Sequence, residues 1–279
     1  MEVTTNHLVP KLITFDGEAR SGKGTIVQRT KDALRDDFGY KVMLIDAGQV
    51  FRCLVVAAQD DGVNLDDPAA LDSFLSDDAK AESSVQFVKS VYHMSKSERD
   101  ALLYSNDVSV GSAKVGARPL SQDFKDELLK KWLRDAREDG YDIVLLDGRA
   151  LEETGTMLES QGLCEFVLGL YFVCDPRVGA MRTLGFAARD YEGLSDAQRR
   201  NVDQLVDQIN ERNRADRERK VQPIVPPAGA PTYVLPDVPY MEPTGTRFMA
   251  TIDTSAKQSK DAMTSPVIRL VSNLLKTND

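Results

Sequence analysis

The chain has little cysteine: Cys53, Cys164 and Cys174 are scattered through 279 residues, and no CxxC pair occurs. An odd, dispersed set excludes a disulfide framework and a thiolate zinc site, and it reads as reduced core thiols. No apolar run approaches the roughly 18 residues that a membrane span requires, so no membrane partner is expected. Met1 to Pro10 has no basic region followed by an apolar stretch, so no signal peptide is expected either. Positive charge is also short. Lys and Arg number 35 against 44 Asp and Glu, a net charge of −9. Proteins that grip duplex phosphates are usually basic, which argues against a nucleic-acid polymer as partner. No internal repeat occurs. Together these absences predict a cytoplasmic protein, taken to be a monomer.

What remains is ordinary globular composition, 42% hydrophobic and 28% charged, enough for a sizeable core. The length fits one core with inserted subdomains. Short apolar runs predict strands at Leu12–Phe15, Val42–Ile45, Ile143–Leu146 and Phe166–Val173, with a weaker one at Phe248–Ile252. Each ends at an Asp near a turn residue. Between them lie helical stripes: Ile26, Thr30, Ala33 and Leu34; Phe51, Leu54, Val55 and Ala58; Phe124, Leu128, Trp132, Leu133 and Ala136. Near-continuous apolar strands alternating with helices predict a buried parallel sheet, whose ligands sit beyond the carboxyl ends of the strands. The stretch from Asp60 to the third strand is too long for a simple crossover and reads as a helical insertion, with Asp66–Ser90 assigned only as acidic helix and loop. Seven of the twelve prolines fall in Pro223–Thr246, which reads as a long surface loop, with a PxxP docking segment as the alternative.

Two motifs carry chemistry. Gly17-Glu18-Ala19-Arg20-Ser21-Gly22-Lys23-Gly24-Thr25 follows a strand and opens a helix, the context of a phosphate-binding loop. Glycines there let backbone N–H groups turn around phosphates, the helix N-terminus adds its positive end, and Lys23 reaches the β and γ phosphates. The second motif is a helix whose buried face, Val202, Leu205, Val206 and Ile209, continues at the same spacing as Arg212, Asp216 and Arg219. Charges on an inward face are costly unless paired, and a phosphate with a ribose hydroxyl would pair them. A solvated helix end with an Arg212–Asp216 pair fits the same spacing.

With these pieces in place the chain resembles the bacterial cytidylate kinase family. The stretches that carry the resemblance are Ile13–Thr25, with its Gly-Lys-Gly-Thr; Asp46–Arg52; Gly62–Asp67; Val144–Arg149; Glu211–Lys220 with Pro223; and Ile252–Ser255. The resemblance implies an α/β fold of P-loop NTPase type, a five-stranded parallel sheet flanked by helices, with an inserted helical acceptor-binding domain and a short lid. On that basis the core comprises 1–60, 140–180 and 202–279, the insertion 61–139 and the lid 181–201. It implies ATP as phosphoryl donor, small-molecule nucleotides as partners and Mg²⁺ as cofactor. It places acceptor phosphate contacts on Arg52, Arg149 and Arg212, sugar contacts on Asp216 and Arg219, and further acceptor contacts on Asp46 and Lys125. Charge along the transfer path falls to Lys23, Arg149, Arg182 and Arg189, and Asp147 is expected to hold the metal through water.

The departures gather where the base is read. The family's Asp-Gly-Arg-Asp is Asp147-Gly148-Arg149-Ala150 here. A family Ser aligns with Ala113, beside Ser112, and a family Arg aligns with Lys125. The lid has Met181 and Thr183 around Arg182, where the family often has several arginines. Three readings follow: a cytidylate-type kinase, a kinase of the same build for another phosphorylated acceptor, and a catalytically idle nucleotide-binding protein.

Overall fold

The computed structural model describes residues 8–220, 222–240 and 247–275. In chain order the elements are β1 (Lys11–Gly17), α1 (Lys23–Asp36), β2 (Val42–Asp46), α2 (Ala47–Asp60), α3 (Pro68–Leu75), α4 (Asp78–Tyr92), α5 (Lys96–Leu103), α6 (Asn106–Gly116), α7 (Pro119–Glu138) and β3 (Ile143–Asp147). There follow α8 (Leu151–Ser160), β4 (Glu165–Val173), α9 (Pro176–Thr183), α10 (Asp196–Arg217), β5 (Thr232–Val234), β6 (Phe248–Asp253) and α11 (Lys260–Leu275). The chain divides into two units: residues up to Ile45 with those from Ala136 on, and Asp46–Asp135.

The first unit is built on one sheet in the order β2-β3-β1-β4-β6-β5. β1 pairs in parallel with β3 and β4, and β4 and β5 each pair in parallel with β6. Leu12, Ile13 and Phe15 of β1 and Ile143–Leu146 of β3 are buried, as strands covered on both faces must be. One face packs Ile13, Phe15, Leu145, Leu170 and Ile252 against Ile26 and Leu34 of α1 and Val267 and Leu270 of α11. Each such side chain contributes about 1.5–3 kcal/mol on burial. All four parallel pairings bring strand carboxyl ends to one edge, so Asp16, Asp147 and Asp253 stand together along it.

Among the described residues the sheet has six strands where the resemblance implied five. The extra strand lies in the proline-rich segment expected as surface loop. Ile224 and Leu235 are buried there, Tyr171 donates its hydroxyl to the Ile224 carbonyl at 3.4 Å, and Thr232 pairs with Thr251. Thr-Tyr-Val between Pro231 and Pro236 suits a short edge strand, where flanking prolines remove no ladder bond from a central strand. The end of that segment, 241–246 with Pro243, lies outside the described residues, as does most of the stretch Met1 to Pro10.

The second unit is helical. Its core joins Val50, Leu54 and Val55 of α2 to Leu71, Phe74, Val88, Leu103, Val115 and Leu128. The stretch Asp66–Ser90 resolves into α3 and α4, capped by Asp67 and Asp77, whose carboxylates accept first-turn N–H groups. A Cβ on Gly111 would lie 2.9 Å from Val55 Cγ1, so its absence lets α6 close on α2.

Candidate active site

β1 delivers the chain to the carboxyl edge at Gly17, and residues 18–22 turn it into α1. Arg20 (φ 59°) and Gly22 (φ 82°) take left-handed backbone within that turn. Three strand and helix ends stake the loop. Glu18 N–H donates to the Phe172 carbonyl of β4 at 2.8 Å. Ala19 N–H donates to Asn213 Oδ1 of α10 at 2.9 Å. Thr254, just past β6, donates its hydroxyl to the Ser21 carbonyl at 2.8 Å. Gly22 caps α1 without a side-chain bond, so the positive end of the helix faces out of the loop.

Lys23 opens α1 and reaches across the carboxyl edge. Its ammonium donates to the Asp147 carboxylate, to the Gly148 carbonyl at 2.5 Å and to the Phe15 carbonyl at 3.3 Å. Asp16 lies beside this group. Its two oxygens accept Gly17 N–H at 2.6 Å and Leu151 N–H at 2.8 Å, which ties the start of the loop to the start of α8. Burial pushes the Asp16 carboxyl up, against the opposing field of Lys23, the two N–H bonds and Arg149.

A second cluster centres on Asp216, which is 4% exposed. Arg149, at the end of β3, forms an ion pair with it; Arg219 lies at 2.7 Å and Arg212 at 3.9 Å. The stripe read from the spacing thus turns inward at Asp216. The helix ends at Arg217, so Arg219 approaches from beyond the cap, and the Arg212 side chain is almost half exposed. Burial lowers the Arg219 guanidinium, with Asp16 opposing. Arg217 lies 3.5 Å from Glu18 of the loop, whose carboxyl burial pushes up.

The other expected residues have these surroundings. Arg182, on α9, donates to the carbonyls of Thr254 (2.6 Å) and Ala256 (2.8 Å), so its guanidinium braces the segment after β6. Arg189 is exposed, 5.9 Å from the Phe186 ring centroid. In the second unit Asp46 caps α2 by accepting Gln49 N–H at 3.1 Å, and the Arg52 guanidinium lies 4.4 Å from the Tyr104 ring centroid. Lys125 is 1% exposed and lies 3.0 Å from Asp126.

Sequence reasoning missed Asn213, Thr254 as a bracket of the loop, and Asp16. Ser121 and Gln122 are buried on α7 one turn before Lys125; among the described residues Ser121 Oγ and Gln122 Oε1 have no hydrogen-bond partner. Asn213 had a visible signal, since it follows Ile209 at the helical i+4 step.

A phosphate loop, a lysine at its base and three guanidiniums around one carboxylate can hold two phosphate groups. The cytidylate kinase family model matches residues 13–235. The chain belongs to the cytidylate kinase family. It is 31% identical over 222 residues to the cytidylate kinase of Shewanella pealeana, covering 77% of this chain and 83% of that protein. The cytidylate kinase of Colwellia psychrerythraea is 26% identical over 234 residues, covering 83% and 91%. That of Bacillus licheniformis is 26% identical over 216 residues, covering 76% and 83%. As a member of this family the chain is a nucleoside monophosphate kinase, a phosphotransferase with a phosphate group as acceptor. Among the described residues no helix is long and apolar enough to cross a membrane.

Membership raises the question of the family's Mg²⁺. Among the described residues no three His, Cys, Asp or Glu side chains gather as a metal cage. Mg²⁺ bound through one carboxylate, several waters and substrate phosphates needs no such cage. Asp147, at a strand end, has its carboxylate paired with Lys23.

Proposed function

We infer that the chain transfers the γ-phosphoryl group of ATP to CMP or dCMP, giving the diphosphate and ADP, and that it separates cytosine from uracil weakly. The observation that carries this reading is the presence, in one unit of the fold, of Lys23 at the loop and of the Arg149–Arg212–Arg219 group around Asp216. We assign the loop Gly17–Thr25 to ATP. Arg149 and Arg212 take the acceptor phosphate, and Asp216 and Arg219 the sugar. On the inserted domain, for which we keep the limits 61–139, Lys125 is an acceptor contact by resemblance; Asp46 and Arg52, just ahead of it, are likewise acceptor contacts.

The acceptor oxygen is already anionic near neutral pH, so the transfer requires no general base. An in-line displacement then depends on positioning and on neutralising charge along the transfer path. Lys23 carries charge on the donor side and Arg149 lies between donor and acceptor groups. Arg189 joins them from the lid, 181–201. Arg182 holds the segment after β6 that brackets the loop. Mg²⁺, held through water by Asp147, would supply charge neutralisation on the ATP phosphates. A lid that closes over the site excludes water and suppresses ATP hydrolysis. We further propose a cytoplasmic monomer acting on small-molecule nucleotides.

Ala150 and the burial of Lys125 favour a second reading, a kinase of this build for another phosphorylated acceptor. A coupled ADP-release assay over a panel of nucleoside monophosphates separates the two. ADP release that depends on CMP supports the first reading. Release that depends only on another acceptor replaces it, and none with any acceptor removes both.

A further inference from the structure

We propose that Asn213 is a positioning residue through which helix α10 and the phosphate loop respond to one another, so that acceptor and ATP tighten each other's binding. The proposal rests on the assignment of ATP to the loop and of the acceptor to Arg212, Asp216 and Arg219.

Asn213 is 5% exposed and accepts Ala19 N–H at 2.9 Å, across 194 residues of chain. It lies next to Arg212 and one turn before Asp216, so the helix that holds the acceptor group also holds the loop tip. Two more contacts join the same parts. Arg217, at i+4 from Asn213, lies 3.5 Å from Glu18, and the Ala19 methyl packs in one apolar cluster with Val202 and Ile209. α10 is one continuous helix of 22 residues, fixed at its start by a Ser195–Gln198 capping box.

Asp216 is shared by three guanidiniums. A phosphate or sugar hydroxyl that recruits Arg212 or Arg219 redistributes that sharing one turn from Asn213. Ala19 N–H is a nearly buried donor, and without Asn213 it is left unpaired and the loop tip relaxes. The loop therefore keeps its shape when α10 keeps its place, and linkage makes the effect reciprocal.

The test is calorimetric titration of the full chain with the non-hydrolysable ATP analogue AMP-PNP and Mg²⁺, with and without saturating CMP. The reciprocal titration of CMP completes the cycle. In the unmodified protein CMP should tighten AMP-PNP about fivefold or more, the lower end of ordinary coupling. Asn213→Ala should bring that factor towards one: AMP-PNP alone binds more weakly because the loop tip relaxes, while CMP alone stays within about threefold, since the acceptor is assigned to Arg212, Asp216 and Arg219. Asn213→Asp, which keeps an oxygen for Ala19 N–H, should recover it. A purely structural role would lower both affinities together and leave their ratio unchanged. Should Asn213→Ala fail to fold, Asn213→Ser, too short to reach the loop, carries the same expectation. Coupling that persists in the folded variant, or that Asp does not recover, overturns the proposal. Binding of both ligands without coupling overturns it alone. A protein that binds AMP-PNP but no nucleoside monophosphate overturns the assignment of the acceptor group as well.

Discussion

A Cβ on Gly17 would stand 2.2 Å from the carbonyl oxygen of Phe172. The two strands approach this closely because Glu18 N–H must reach that same carbonyl to start the loop, and Gly17 has φ 137° to let it. Gly17→Ala therefore meets backbone, which cannot rotate away. Overpacking and backbone strain together predict a loss of at least about 3 kcal/mol in stability. Urea unfolding checks this: an unchanged midpoint would mean that the loop starts elsewhere.

Lys23→Ala removes the charge at the base of the loop and leaves Asp147 beside two carbonyls. Turnover should fall by about 100- to 1000-fold, the scale of losing one preorganised charge in a transfer site. The far-ultraviolet dichroism should stay that of the folded protein. Near-normal turnover in a folded variant would remove Lys23 from the transfer path.

Asp16 gives a pH signature. Its carboxyl is pushed up by burial, so the folded protein holds that proton more tightly than the unfolded chain, where the value is about 3.9. Protonated Asp16 thus stabilises the fold fully below that value, and the contribution is lost as pH rises through the folded value. Asp16→Asn cannot ionise. Its melting temperature relative to the unmodified protein should therefore climb as pH goes from 4 to 7. A difference that is flat with pH, or that falls, would contradict the direction of the shift.

The strands and the loop were legible because their signals are local: an apolar run, a glycine turn, a lysine at fixed spacing. Ile13–Thr25 states its own structure. The bracket around the loop was not legible in this way. Ala19 meets Asn213 and Ser21 meets Thr254, and no spacing in the chain encodes partners about 200 residues apart. β5 was hidden for another reason. Its three residues sit among prolines, and only pairing with β6 makes Thr232–Val234 a strand. Asp216 was readable as inward by periodicity, but its partner Arg149 comes from just past β3 and was placed by resemblance. Lys125 shows the limit of that route, since the alignment named the residue and its burial on α7 was visible only in the fold.

Arg182 separates two roles. If its work is to brace Thr254 and Ala256, then Arg182→Lys, which keeps one charge and loses the fork, should raise the KM for ATP about tenfold and leave the KM for CMP within about twofold. That is the scale of one or two charge-assisted bonds. If kcat falls instead with both KM values unchanged, the guanidinium acts on the transferring group itself.

One substitution at Ala150 tests the fold and the base together. It sits at the start of α8 with φ 55° and ψ 50°, and it caps the helix without a side-chain bond. An L-residue in this left-handed region is strained, and Asp tolerates it better than Ala. Asp also accepts first-turn N–H groups at a helix start. Ala150→Asp should therefore stabilise the protein by roughly 0.5–2 kcal/mol, read as a higher melting temperature. The same carboxylate would accept from the amino group of cytosine, which a methyl cannot do. One buried contact of that kind is worth about 1–3 kcal/mol, so the CMP-to-UMP ratio of kcat/KM should rise about tenfold to more than a hundredfold. The side chains that the resemblance offers as substitutes have partners already: Ser112 donates to the Ser109 carbonyl at 2.9 Å, and Lys114 is paired with Asp66. An unmodified enzyme that already prefers CMP by several hundredfold would show that another side chain reads the base. A variant that gains stability while the ratio stays fixed would place Ala150 at the helix cap alone, away from the acceptor's base.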